Sequence, residues 1–225
     1  MSSSSSGVLT SSQAHADSIK AYLDNITDNL LTSLPAAERL SAAERRGIIA
    51  RYSAVLEGNF IYWMTGAYLA AKSEEARAAI LENLHEEVRD CHPGMLRTFA
   101  MAAQAQPNTA DALAVYPNLS NVRLFIGKLS PAPIVAMMAF FEGFIQRFMP
   151  YLEELAEKQG SAERVYTQVH GVCDIAHSQE LYHALDAEMA LANDSREPTE
   201  YLFEGVHLLR ALIESMFTDA ASAPA

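Results

Sequence analysis

Three residues in the stretch "HGVCDIAH", His170, Asp174 and His177, have the types and spacing to do chemistry together. An α-helix turns ~100° per residue, so His170 and His177 differ by only about 20° and Asp174 by about 40°. Two imidazoles and a carboxylate therefore share one helical stripe. Such a stripe is either a solvated polar face or a set of ligands converging on a cation, and this helix alone leaves both open. Tyr166, one turn before His170, extends the stripe; it could support a ligand by a hydrogen bond, stand by as a redox group, or pack.

Other segments carry acids on otherwise apolar faces. Glu142 in "AMMAFFEGFIQRF" shares a side with Met138, Ile145 and Met149 at steps of three and four. A carboxylate buried there is costly unless paired or bound to a metal. Glu57 in "VLEGNFIYWM" shares a side with Phe60, Ile61 and Met64. In "AAILENLHEEVRDCHPGML", with Ile80, Leu84 and Val88 taken as the buried direction, Glu87 lies about 75° from its centre. Glu86 lies almost opposite and reads as a solvated charge. His92 precedes Pro93, where a helix breaks or restarts, so it either caps or swings in as a ligand. The candidate set is Glu57, Glu87, His92, Glu142, His170, Asp174 and His177. Carboxylates mixed with imidazoles suit iron or manganese better than structural zinc. Seven exceed the needs of one mononuclear site and suit two ions that keep open positions.

The elements that must position these residues are helical, with no convincing period-two alternation. An early helix covers roughly Ser12 to Leu34. Ser41 with Glu44 three residues on is a capping box opening one long helix through "LAA" at Ala71. Ser73 and the acids after it start the next. Pro93 suits a first helical turn, Pro131 and Pro133 open a long apolar helix to Gly160, Ser161 restarts the chain, and Pro198 opens a final helix to about Thr218. The stretch "YPNLSNVRLFIGKLS" reads as a longer connection. The expected fold is all-α, a single seven-helix bundle over residues 11–219. A Ser-rich tail (residues 1–10) and a second tail (220–225) should be disordered.

The 225 residues are half apolar, enough for a sizeable core, and carry a formal net charge of −12. That charge disfavours nucleic acid and anionic membrane surfaces. Two cysteines, Cys91 and Cys173, imply no disulfide framework and a cytoplasmic setting. No secretory signal is visible, and the most apolar run is interrupted by Glu142 and too short for a bilayer. Exposed apolar helix faces leave room for a homodimer.

The order of a Glu, then "NLHEE" followed by a His, then a Glu in an apolar helix, then H-x-x-x-D-x-x-H, resembles the haem-oxygenase-like diiron oxidases and oxygenases. The resemblance runs from about Glu57 to His177. It maps a ligand onto Glu87, four residues after the Asn of "N-L", which the face argument reaches independently. It maps another onto His92, across a shorter spacer than the family's. Glu57 is matched only by its place on the preceding core helix. The resemblance implies a haem-oxygenase-like bundle without haem, holding two Fe(II) ions that activate O2. It further implies oxidation of a small molecule, by preference an amino acid or derivative, through desaturation, other C–H functionalisation or N-oxygenation in natural-product biosynthesis. A fatty-acid substrate is the alternative. Arg97, Arg123, Lys128, Arg147 and Arg210 are the cations considered for a substrate carboxylate. Phe140, Phe141, Phe144, Met137 and Met138 would keep water from the oxidant. Two competing readings are a metal-free thiaminase-like hydrolase, with Cys173 as nucleophile, and a non-catalytic iron-binding bundle.

Overall fold

The computed structural model describes residues 11–192 and 199–218, so both expected tails lie outside the described residues. The chain is all-helical, and no strand occurs among the described residues. Its helices are α1 (Ser11–Ser33), α2 (Ala42–Leu56), α3 (Asn59–Ala70), α4 (Glu74–Arg89), α5 (His92–Ala102), α6 (Thr109–Ile126), α7 (Pro131–Lys158), α8 (Val165–Ala192), α9 (Thr199–Leu202) and α10 (Glu204–Ser215), with a 3-10 turn at Ala37–Arg39.

The helical segments outnumber the expected seven, and two departures from the sequence reading matter most. The long helix expected from Ser41 to Ala71 breaks into α2 and α3 at Gly58, whose φ of 81° is a left-handed conformation that glycine adopts without a steric penalty. The stretch after Tyr116 is helical, forming the second half of α6 with Pro117 inside it. An interior proline costs about 3 kcal/mol. Burial of Val115, Leu119, Val122, Phe125 and Ile126 along one face offsets that cost. Asn108 and Asp111 form a reciprocal capping box at the start of α6. The capping box at Ser41 and the Ser73 cap on α4 form as the sequence indicates.

At the centre, α7 and α8 make the most extensive helix–helix interface. They are joined by a short turn in which Gly160 takes a φ of 84° and the Ser161 N–H donates to the Ala156 carbonyl. Buried side chains surround α7 on nearly every side, and Phe144 and Phe148 stack with ring centroids 5.1 Å apart. Among the described residues α7 alone is long and apolar enough to cross a bilayer, but 83% of its most apolar window is buried inside the fold. It is a core helix, and it bears Glu142.

Two contacts fix the helices that frame α7 and α8. Glu188, near the end of α8, accepts from the Lys72 and Ser73 N–H groups at 2.8 and 2.7 Å and from the Ser73 hydroxyl at 2.9 Å. That buried carboxylate ties α8 to the N-terminus of α4, where negative charge is favoured. On the other side α10 packs on α6 and α7, close enough at Gly205 that a Cβ there would meet the Phe125 ring.

Candidate metal centre

Helix α4 delivers Glu87 inward on a line with Ala76, Ile80 and Asn83, all buried. This line is rotated from the Ile80, Leu84 and Val88 stripe of the sequence reading, since Val88 is exposed. The chain then reverses at Cys91, whose φ of 57° is left-handed, and α5 begins at once with His92. That reversal lets the four-residue spacer between Glu87 and His92 fold back on itself. The His92 Nδ1–H donates to Glu87 Oε1 at 2.6 Å. From α8, His170 points its Nε2 at the same oxygen, 3.8 Å away, while its Nδ1–H donates to the Tyr166 carbonyl at 2.9 Å. The rings of His92 and His170 meet edge to face, centroids 4.6 Å apart.

One turn further along α8, Asp174 and His177 meet Glu142 of α7. Asn83 Nδ2 donates to Glu142 Oε1 at 2.8 Å. His177 Nδ1 lies 3.8 Å from Asp174 Oδ1. Ligand atoms of Glu87, His92 and His170 lie within 4.8 Å of one another, as do those of Glu142, Asp174 and His177, and all six residues are buried. The two groups adjoin, since five of the six residues line one cavity with Leu56, Phe60, Pro93, Leu96, Phe141, Ile145 and Tyr166.

The electrostatics of the groups differ. Burial alone would raise the Glu87 carboxyl, but the His170 imidazole beside it and the hydrogen bond from His92 outweigh it and hold the group below its usual range. Burial raises Glu142 despite the opposing His177 and Asn83, and raises Asp174 far more, with the Glu142 and Glu87 charges adding to it. Asp174 is 2% exposed and its Oδ2 has no hydrogen-bond partner. A buried, unpaired carboxylate oxygen beside a second carboxylate is unfavourable in an apoprotein and well suited to a cation. The donor set, three carboxylates and three imidazoles with no thiolate, fits iron or manganese.

Glu57 stands apart and is a correction to the expected ligand set. It follows the last residue of α2, just before the Gly58 break, which turns it outward. Its exposed carboxylate pairs with Arg97 at 2.7 Å. The other cations considered for a substrate are also engaged away from the cavity: Arg123 donates to Asn59, Lys128 pairs with Glu204, Arg147 with Asp28 and Arg210 with Glu214. Cys173 is absent from the cavity wall, and burial raises its thiol, the reverse of what a nucleophilic thiolate needs. Tyr166 is buried beneath His170, its hydroxyl 2.7 Å from that of Tyr52.

Two supporting residues escape the sequence reading. Asn83 holds Glu142, and its place four residues before Glu87 on the same face is the signal that could have shown it. Glu86, read as solvated, has its Oε2 2.9 Å from His177 Nε2. Its partner lies 91 residues further on, and no local pattern reports it.

Residues 49–210 match the model of a haem-oxygenase-like family described as iron-containing redox enzymes. No curated protein and no solved structure matches the chain.

Proposed function

Because the chain belongs to the haem-oxygenase-like family of iron-containing redox enzymes, we propose that it is a non-haem diiron oxidase that uses O2 to oxidise a C–H bond of a small, largely apolar organic substrate. The observation that carries this reading is the pairing of two buried three-ligand groups along one cavity. Glu87, His92 and His170 would hold one iron, and Glu142, Asp174 and His177 the other. A bound pair of irons supplies the redox equivalents that couple dioxygen to substrate oxidation.

The chain's own groups prepare that chemistry. The Tyr166 carbonyl holds the His170 Nδ1–H and leaves Nε2 facing Glu87. Asn83 orients Glu142. Leu56, Phe60, Leu96, Phe141 and Ile145 form the organic wall of the cavity and exclude water from the reacting end. Phe140, Phe144, Met137 and Met138 are buried in the core but do not line the cavity.

The wall bears on the substrate. Among the described residues no Lys or Arg lines the cavity, so the carboxylate of an amino acid would find no fixed cation there and its ammonium would meet apolar side chains. This supports an alkyl or aryl body whose acidic head, if present, has only the metals as positive partners. A fatty acid fits better than the amino acid or derivative that the family resemblance implies. Desaturation or a related C–H functionalisation is the reaction class that suits such a body.

Anaerobic titration should show close to two Fe(II) per chain. Oxygen uptake should rise above background with fatty acids and stay at background with amino acids. His170→Ala and Glu142→Ala should each lose about one metal equivalent and the oxygen uptake. Unchanged iron binding and turnover in both variants would refute the metal assignment, and uptake triggered by amino acids alone would refute the substrate class.

A further inference from the structure

We infer that Glu86 is a positioning residue that selects which nitrogen of His177 faces the second metal group. The inference rests on the reading of Glu142, Asp174 and His177 as metal ligands. A neutral imidazole has one N–H and one lone pair, and a metal needs the lone pair. Whatever accepts the N–H therefore decides the ligating atom. Glu86 Oε2 lies 2.9 Å from His177 Nε2, so the carboxylate accepts that N–H and leaves the lone pair on Nδ1. Nδ1 is also the nitrogen turned toward Asp174, 3.8 Å from its Oδ1.

His170, two turns earlier on the same helix, is set the other way. Its Nδ1–H is held by the Tyr166 carbonyl and its Nε2 faces Glu87. Helix α8 thus offers ring nitrogens of opposite type to the two groups, one fixed by its own backbone and one by a side chain of α4. The α4 contact is the more vulnerable of the two, because it depends on one side chain and that side chain is 28% exposed. Glu86 does not serve as a ligand in this arrangement. It sits on the nitrogen other than the one that faces Asp174, and its other oxygen lies 4.0 Å from Arg89. Carboxylates placed behind a ligating histidine fix its tautomer and strengthen it as a ligand.

The test uses the full chain and two readouts. In metal-free protein with ¹⁵N-labelled histidine, at a pH where the rings are neutral, His177 should carry its proton on Nε2 and His170 on Nδ1. In Co(II) titrations Glu86→Ala should weaken one of the two metal equivalents by about 10–100-fold and leave the other unchanged. Glu86→Gln, whose amide oxygen still accepts the Nε2–H, should recover most of that loss, which a direct ligand or a purely electrostatic carboxylate would not allow. A His177 proton on Nδ1 in the wild type, Gln as damaging as Ala, or no change in either variant would overturn the inference. A wild type that binds no metal while His177 keeps its Nε2 proton would instead fault the metal reading, and the role of Glu86 with it.

Discussion

Asp174 shows how a single residue can be unfavourable for the apoprotein and suited to a bound cation. Burial and the charges of Glu142 and Glu87 raise its folded pKa well above the ordinary carboxylate value. Between the unfolded and folded values the native state holds the extra proton, so stability falls as pH rises through that interval. Each pH unit over which one such proton is held is worth about 1.4 kcal/mol. Glu142 acts in the same direction. Glu87 has the opposite sign: its lowered folded value adds stability that is fully present above 4.5 and is lost as pH falls through the folded value. Urea midpoints of the metal-free protein should therefore decline from mildly acidic toward neutral pH. Asp174→Asn should flatten that decline and remove the second metal equivalent; an unchanged slope would count against the raised value. The helical stripe of the α8 triad and the apolar company of Glu142 were legible because each acid or imidazole broke a hydrophobic surrounding at helical spacing. Glu57 looked alike for the same reason, but the helix break at Gly58 leaves it exposed and paired with Arg97.

At the scale of elements, the ligands depend on how α4 is held against α8. Glu188 is the one carboxylate that satisfies three donors at the start of α4. Glu188→Ala strands those groups in a buried setting and should lower stability by about 2–4 kcal/mol. Because α4 carries Asn83, Glu86 and Glu87, the variant should weaken metal binding at both groups although it touches neither, which a Co(II) titration would show. Loss of stability with intact binding would mean that α4 is positioned from its other end. The starts of α2, α4, α5 and α7 were readable through Ser41, Ser73, Pro93 and Pro131, since capping is local chemistry, while the expected start at Pro198 lies outside the described residues. The α6 helix was not, because Pro117 argues for a connection while the burial that overrides it depends on distant neighbours. The rotation of the α4 inward face was hidden likewise: Val88 is apolar in sequence but meets solvent.

For the whole molecule, the two groups join four helices, α4, α5, α7 and α8, and metal binding should be felt as global stability. A ligand at 100 times its dissociation constant adds about 2.7 kcal/mol per site. For a chain of this length each kcal/mol moves Tm by about 2–4 °C, so filling both groups should raise it by about 10–20 °C. Anaerobic Fe(II) or Mn(II) melts of the wild type against His170→Ala would measure this, and a shift retained in full by the variant would speak against a shared centre. The break between α2 and α3 has a different consequence. All six ligands lie between positions 87 and 177, while Leu56 and Phe60, on either side of the break, contribute only to the cavity wall. On the proposed reading, the residues that would hold the metals and part of the cavity wall therefore lie on separate stretches of chain. Exchanges at Leu56 or Phe60 can reshape what is accepted without disturbing how it is oxidised, which is the arrangement a scaffold needs if it is to change substrates while keeping one chemistry.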